Sequence, residues 1–110
     1  MSHYAENRKA HFDYEILEKY ETGIELLGTE VKSVRGGQMS LEGAFVIVRG
    51  GETYLINASI PPYQPKNAPK DYDPLRNRRL LLTKKEIAEL AGSEKNKSLT
   101  IVPISVYNKN

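Results

Sequence analysis

A mainly β fold, a small antiparallel barrel with about three short helices, is the class this sequence predicts, and three observations predict it. Two β-branched and aromatic runs, Phe45-Val46-Ile47-Val48-Arg49 and Thr53-Tyr54-Leu55-Ile56-Asn57, flank Gly50-Gly51-Glu52 in the pattern of a tight hairpin. Further strand-like runs lie within residues 12–20, 24–27 and 99–107, bounded by turn residues. The helical signals are short and do not alternate with strands, as a doubly wound parallel sheet would require. With 110 residues, 39% hydrophobic and 27% charged, the chain suits one core and neither a disordered nor a fibrous class.

Taken in order, residues 1–10 are polar and aperiodic, so they read as a flexible N-terminal arm leading into a domain over 11–110. Phe12, Tyr14 and Ile16 alternate with Asp13 and Glu15, which predicts a half-buried strand. Glu21-Thr22-Gly23 reads as a bend, and Ile24, Leu26 and Leu27 as a second strand that Gly28 stops. Thr29 as N-cap, Val31 and Val34 three apart, and Gly36-Gly37 predict a two-turn helix over 29–35, with Lys32 and Arg35 together on its wet face. A strand competes there because of the valines.

After the hairpin, Pro61, Pro62, Pro65 and Pro69 forbid regular ladders, so residues 61–70 should be a surface excursion. Asp73-Pro74 has the form of a helix start, followed by the basic set Arg76, Arg78 and Arg79. Thr83-Lys84-Lys85-Glu86 fits a capping box, with Leu82 and Ile87 as a hydrophobic staple and Gly92 as terminator. The stretch 99–107 is β-rich, and Pro103 within it demands an edge or a bulge.

Charge is segregated along the chain. The net +2 conceals a formal −5 over residues 13–30 and +5 over 66–85. The absence of cysteine removes disulfides, thiolate metal sites and cysteine nucleophiles, and it suits a reducing compartment. No apolar run approaches the roughly 20 residues needed to span a bilayer, so the reading is a soluble cytoplasmic protein. Enzyme chemistry finds little support: His3 and His11 are the only imidazoles, and no phosphate loop, nucleophile elbow or metal-spaced cluster occurs. No metal or cofactor is expected. The basic residues are the better lead, because clustered Arg and Lys neutralise phosphates, and Tyr63 and Tyr72 flank them as candidate stacking platforms. A solvated basic face is the competing reading.

Asn7-Arg8-Lys9-Ala10-His11-Phe12-Asp13-Tyr14, Glu21-Thr22-Gly23-Ile24, Gly28-Thr29-Glu30-Val31-Lys32-Ser33-Val34-Arg35, Asp73-Pro74 and Arg78-Arg79-Leu80-Leu81-Leu82, in this order, resemble the small protein B (SmpB) family over nearly the whole chain. The resemblance implies an OB-fold barrel with helices in the bacterial cytoplasm. It also implies binding to the tRNA-like domain of transfer-messenger RNA, and entry with that RNA into stalled ribosomes for peptide tagging and ribosome rescue. Alanyl-tRNA synthetase and elongation factor Tu would be indirect partners. Carried onto this chain, the RNA-contact positions fall on Asn7, Glu21 and Leu81, with Arg8, Lys9, Lys32, Arg35, Arg76, Arg78 and Arg79 as neighbouring phosphate partners. His11 matches a ribosome-facing position. Family members continue into a further strand and a lysine-rich tail, which this sequence lacks, so RNA binding without tagging is the expectation.

Two other classes stay open on the residues alone. One is a protein-interaction module docking through its acidic and basic faces, and the other a generic single-strand-binding OB domain. The second would gather aromatics on one strand face, whereas the seven Tyr and two Phe are scattered.

Overall fold

A computed structural model describes residues 2–95 and 99–108. Among these, five strands form two antiparallel sheets and three α-helices pack around them. Strand β1 (Ser2–Glu6) pairs with β5 (Ser105–Asn108), and the central sheet runs β2 (Phe45–Arg49), β3 (Glu52–Ile56), β4 (Arg78–Leu80). Helices α1 (Arg8–Asp13), α2 (Gly28–Arg35) and α3 (Lys84–Lys95) fill the connections. The antiparallel, helix-bearing architecture is as expected. The sheets do not close into a barrel, and helical residues outnumber strand residues, so "mainly β" is corrected to a mixed fold.

The hairpin forms where the glycines place it: Arg49 opposes Glu52, and Gly50 and Gly51 take φ of +59° and +76°, the left-handed values that a two-residue primed turn needs. Burial along β3 alternates, sending Thr53 and Leu55 into the core. Helix α2 forms with Lys32 and Arg35 exposed and Val34 buried, as expected, and Gly37 at φ +76° ends it, but its N-cap is Leu27 and not Thr29, which lies inside the first turn. The capping box of α3 is complete: Thr83 N donates to Glu86 Oε1 at 2.9 Å, and Glu86 N donates to Thr83 Oγ1 at 3.2 Å. Gly92 does not terminate α3, which runs on to Lys95 because nothing obliges this glycine to leave the helical region.

Four other expectations are overturned, the first being the second strand over residues 24–27, which is reduced to a single bridge from Ile24 to Leu80 before the chain enters α2. The arm expected over residues 1–10 is largely β1 and the start of α1, tied down by a strand about a hundred residues away, with Tyr4 and Ala5 packed on the core; Met1 lies outside the described residues. The strand expected from Phe12 is instead the end of α1 and an extended segment without ladder pairing, in which Phe12 is 87% exposed. The alternation had no partner strand to make it a sheet. Finally, Asp73-Pro74 opens a turn, not a helix: Asp73 Oδ1 accepts from Leu75 N at 2.9 Å and Asp73 O from Arg76 N at 3.1 Å, after which the chain enters β4. The proline segment 61–70 carries only a short 3₁₀ turn at Pro65–Asn67, as its prolines require. Of the β-rich stretch 99–107, only the part after Pro103 pairs as a strand.

The core joins Val34 of α2, Met39, Leu41, Val46, Leu55, Ile60 and Leu80, with Val106 packed against it from the second sheet. Set into this core is a charge cluster. The Glu30 side chain is 0% exposed, and so is that of Arg78. Glu30 accepts from Arg78 Nη2 at 2.6 Å, from Arg76 Nε at 3.0 Å, and from the backbone N–H of Leu27 at 2.8 Å. Arg78 also donates to Ala58 O and Pro74 O, and among the described residues no buried side-chain polar atom lacks a partner. Burial opposes the charged carboxylate, but the bonds from Arg76, Leu27 and Arg78 outweigh it and hold the Glu30 carboxyl down at about 2.

Removing one partner strands a buried charge, so Glu30→Ala and Arg78→Ala should each cost about 3–5 kcal/mol, measured by urea unfolding at neutral pH. Because the folded-state pKa of Glu30 lies below its unfolded value of 4.5, its contribution is present above that pH and fades as the pH falls toward about 2. A stability profile with no loss in that window, or one unchanged by Glu30→Ala, would contradict this role.

Candidate nucleic-acid interface

The expected RNA-contact residues divide between two edges of the fold. Asn7 sits at the junction of β1 and α1, half-buried, where its side-chain amide donates to Pro103 O at 3.0 Å and its backbone N–H to Ile104 O at 2.8 Å. One of its amide hydrogens is therefore spent on holding the N-terminal segment to the approach of β5. Arg8, Lys9 and His11 follow on α1, all exposed, and His11 borders a shallow recess shared with Asn7 and Arg8.

Glu21 and Leu81 are brought close by backbone pairing. Leu81 N donates to Gly23 O at 2.9 Å, Ile24 bridges to Leu80, and Glu25 N donates to Arg79 O at 2.9 Å, so residues 23–25 lie along the edge of β4. A side chain added at Gly23 would meet Leu81 Cδ1 at 3.2 Å, which places the leucine directly over this glycine, two residues from Glu21. Leu81 is nevertheless 49% exposed. Glu21 is exposed as well, and the Tyr107 hydroxyl of β5 donates to its Oε2. The bond draws both sheets to one site, and sequence reasoning missed Tyr107 because nothing local links positions 86 residues apart.

The basic row does not form. Period-two alternation along β4 turns Arg78 and Leu80 inward and Arg79 and Leu81 outward. Arg78, expected to face phosphate, is corrected to a buried structural residue whose guanidinium is committed to Glu30, Ala58 O and Pro74 O. Arg76 is half-exposed but bonded through Nε and Nη2 to Glu30. Arg79, with 38% of its side chain exposed, forks onto Glu25 and Glu52, and these bonds raise its already high pKa. The alternating Arg78-Arg79-Leu80-Leu81 was the available signal, since a strand that buries Leu80 must also bury Arg78. Likewise Glu30 shares a helix face with Ser33 and Val34, a position where a carboxylate needs a buried cation. Lys32 and Arg35 alone of the expected basic residues near the core stand exposed outside the ion pairs found among the described residues.

Comparison with known proteins decides the family. The family model described as SmpB protein matches residues 4–110. The chain belongs to the SmpB family. It is 51% identical over 106 residues to the SsrA-binding protein of Thermosynechococcus vestitus, covering 96% of this chain and 70% of the relative. It is 55% identical over 106 residues to that of a Sulfurihydrogenibium species, covering 96% and 69%. A solved chain described under "tmRNA-SmpB: a journey to the center of the bacterial ribosome" superposes with a TM-score of 0.75 at 50% identity, covering 94% of this chain and 73% of that one.

Burial separates the two neighbouring arginines in a measurable way. Arg78→Ala should lower the unfolding midpoint sharply, whereas a double-mutant cycle on the half-exposed Arg79–Glu25 pair should return only a small coupling that shrinks further in salt. Equal losses for both would mean that the inward and outward assignments along β4 are wrong.

Proposed function

We propose that this chain binds the tRNA-like domain of transfer-messenger RNA and delivers it to stalled ribosomes for trans-translation. The observation that carries the reading is the likeness to the solved tmRNA-SmpB chain at 50% identity and a TM-score of 0.75, together with relatives named SsrA-binding proteins. Its work is binding and not catalysis. Alanyl-tRNA synthetase and elongation factor Tu follow as indirect partners, through the RNA they act on, and a cytoplasmic setting follows from the ribosome. The two sheets are read as an open, OB-like arrangement, supported by the bond from Val46 N to Ile101 O at 3.0 Å, which lays the approach to β5 beside β2.

Within this reading Glu21 accepts a hydrogen bond from a base edge or a ribose hydroxyl, with Tyr107 already fixing the carboxylate. A carboxylate near phosphate is tolerated only when its oxygens are so occupied. Leu81 offers an apolar surface to an unstacked base, and Asn7 contributes its remaining amide hydrogen and its carbonyl. Arg8, Lys9, Lys32 and Arg35 meet phosphates, aided by the exposed rims of Arg76 and Arg79, while His11 faces the ribosome. Each phosphate neutralised steepens the salt dependence of binding.

Glu21→Ala and Leu81→Ala should each weaken binding to the isolated tRNA-like domain by about tenfold at fixed salt, with circular dichroism unchanged because both side chains are exposed. Titrations that return wild-type affinity for both variants would remove Glu21 and Leu81 from the interface.

A further inference from the structure

A cleft opens between the first turns of α2 and the proline-rich loop. Its walls are Pro61, Pro62, Pro69 and the ring of Tyr63, and α2 contributes Thr29 and Lys32. Hydrogen bonds at its base hold it in shape: Ser33 Oγ donates to Pro61 O at 2.7 Å, and Ile60 N to Pro74 O at 3.0 Å. The Tyr72 hydroxyl lies 2.6 Å from Ile60 O and 3.0 Å from Glu30 Oε2. Both ends of the loop are thus fastened to α2 or β4 by groups other than Tyr63, whose residue surface is 45% exposed.

Electrostatics and shape together select the occupant. Glu30 borders the cleft, but its carboxylate is buried and committed to two guanidiniums, so it presents no uncompensated negative charge there. Lys32, the one cation lining the cleft among the described residues, is exposed and belongs to none of the ion pairs found there, Arg35 follows three residues on, and Lys66 and Lys70 stand exposed on the loop, with Asp71 and Asp73 as the opposing charges. Apolar walls with an exposed tyrosine ring suit a flat aromatic ring, and the lysine beside them suits an anion. An aliphatic side chain of a protein would use the walls but gain nothing from these cations. We propose that the cleft is a nucleotide-binding subsite, in which an unstacked base lies against Tyr63 and its phosphate meets Lys32. This rests on the RNA-binding function proposed above. Tyr72 cannot share the stacking role, since it is half-buried and its hydroxyl is engaged.

The test titrates a transcript of the tRNA-like domain against wild type, Tyr63→Ala, Tyr63→Phe and Lys32→Gln across a salt series, with an unstructured RNA of equal length as reference. Tyr63→Ala should weaken binding at least about fivefold, and Tyr63→Phe should stay near wild type because the ring is kept. Lys32→Gln should reduce the slope of log affinity against log salt by about one. Wild type showing no preference for the folded RNA overturns the underlying function. Preference retained with Tyr63→Ala at wild-type affinity, equal losses in the Ala and Phe variants, or an unchanged slope for Lys32→Gln overturns the subsite alone.

Discussion

One buried carboxylate holds the parts of this molecule in register. Glu30 arrives on the third residue of α2, bonds the helix's own first turn through Leu27 N, and then receives Arg76 and Arg78 from the segment that becomes β4. Through Arg78 it reaches Ala58 O and Pro74 O, and through Tyr72 the base of the proline-rich loop. A single acid therefore connects a helix, a central-sheet strand and both ends of a loop that no ladder could tie down. Such a cluster is expensive to desolvate and stable only because every oxygen and nearly every N–H is used, which makes it intolerant of piecemeal change.

The same cluster explains what becomes of the segregated charge. The acidic stretch over 13–30 and the basic stretch over 66–85 look like two faces waiting for separate partners. In the folded chain part of each stretch is spent on the other: Glu30 takes Arg76 and Arg78, and Glu25 takes Arg79. Among the cations left exposed outside these pairs, Lys32 on α2 lines a preformed cleft against the loop that carries Lys66 and Lys70. A surface of this kind favours a structured RNA that presents phosphates and a splayed base at set positions over a strand that is simply coated.

The acidic end of the proposed RNA site follows similar logic. Glu21 is not a repelled carboxylate on a wet strand but one oriented by Tyr107 from the other sheet, beside Leu81, which rests on Gly23. The glycine matters for its small size: it lets the leucine lie flat over the backbone while keeping its outer surface in water.

Elements whose cause is local are legible in the residues. The Gly50-Gly51 hairpin, the amphipathic α2 and the capping box of α3 each depend on turn chemistry or a helical period contained in a few neighbours, and the same period puts Lys32 and Arg35 on a wet face. The resemblance to the SmpB family, carried by motifs in the sequence, likewise implies RNA binding. Tertiary pairing decides the rest. Whether residues 2–6 are an arm or a strand depends on β5, whether Phe12–Asp13 begin a strand depends on a partner that does not arrive, and whether Arg78 meets phosphate or Glu30 depends on β4 forming beside β3. A side chain's type is written in the sequence. Which way an arginine points is set by the strand it joins, because the pleat assigns alternate residues to core and solvent only once that strand has a neighbour.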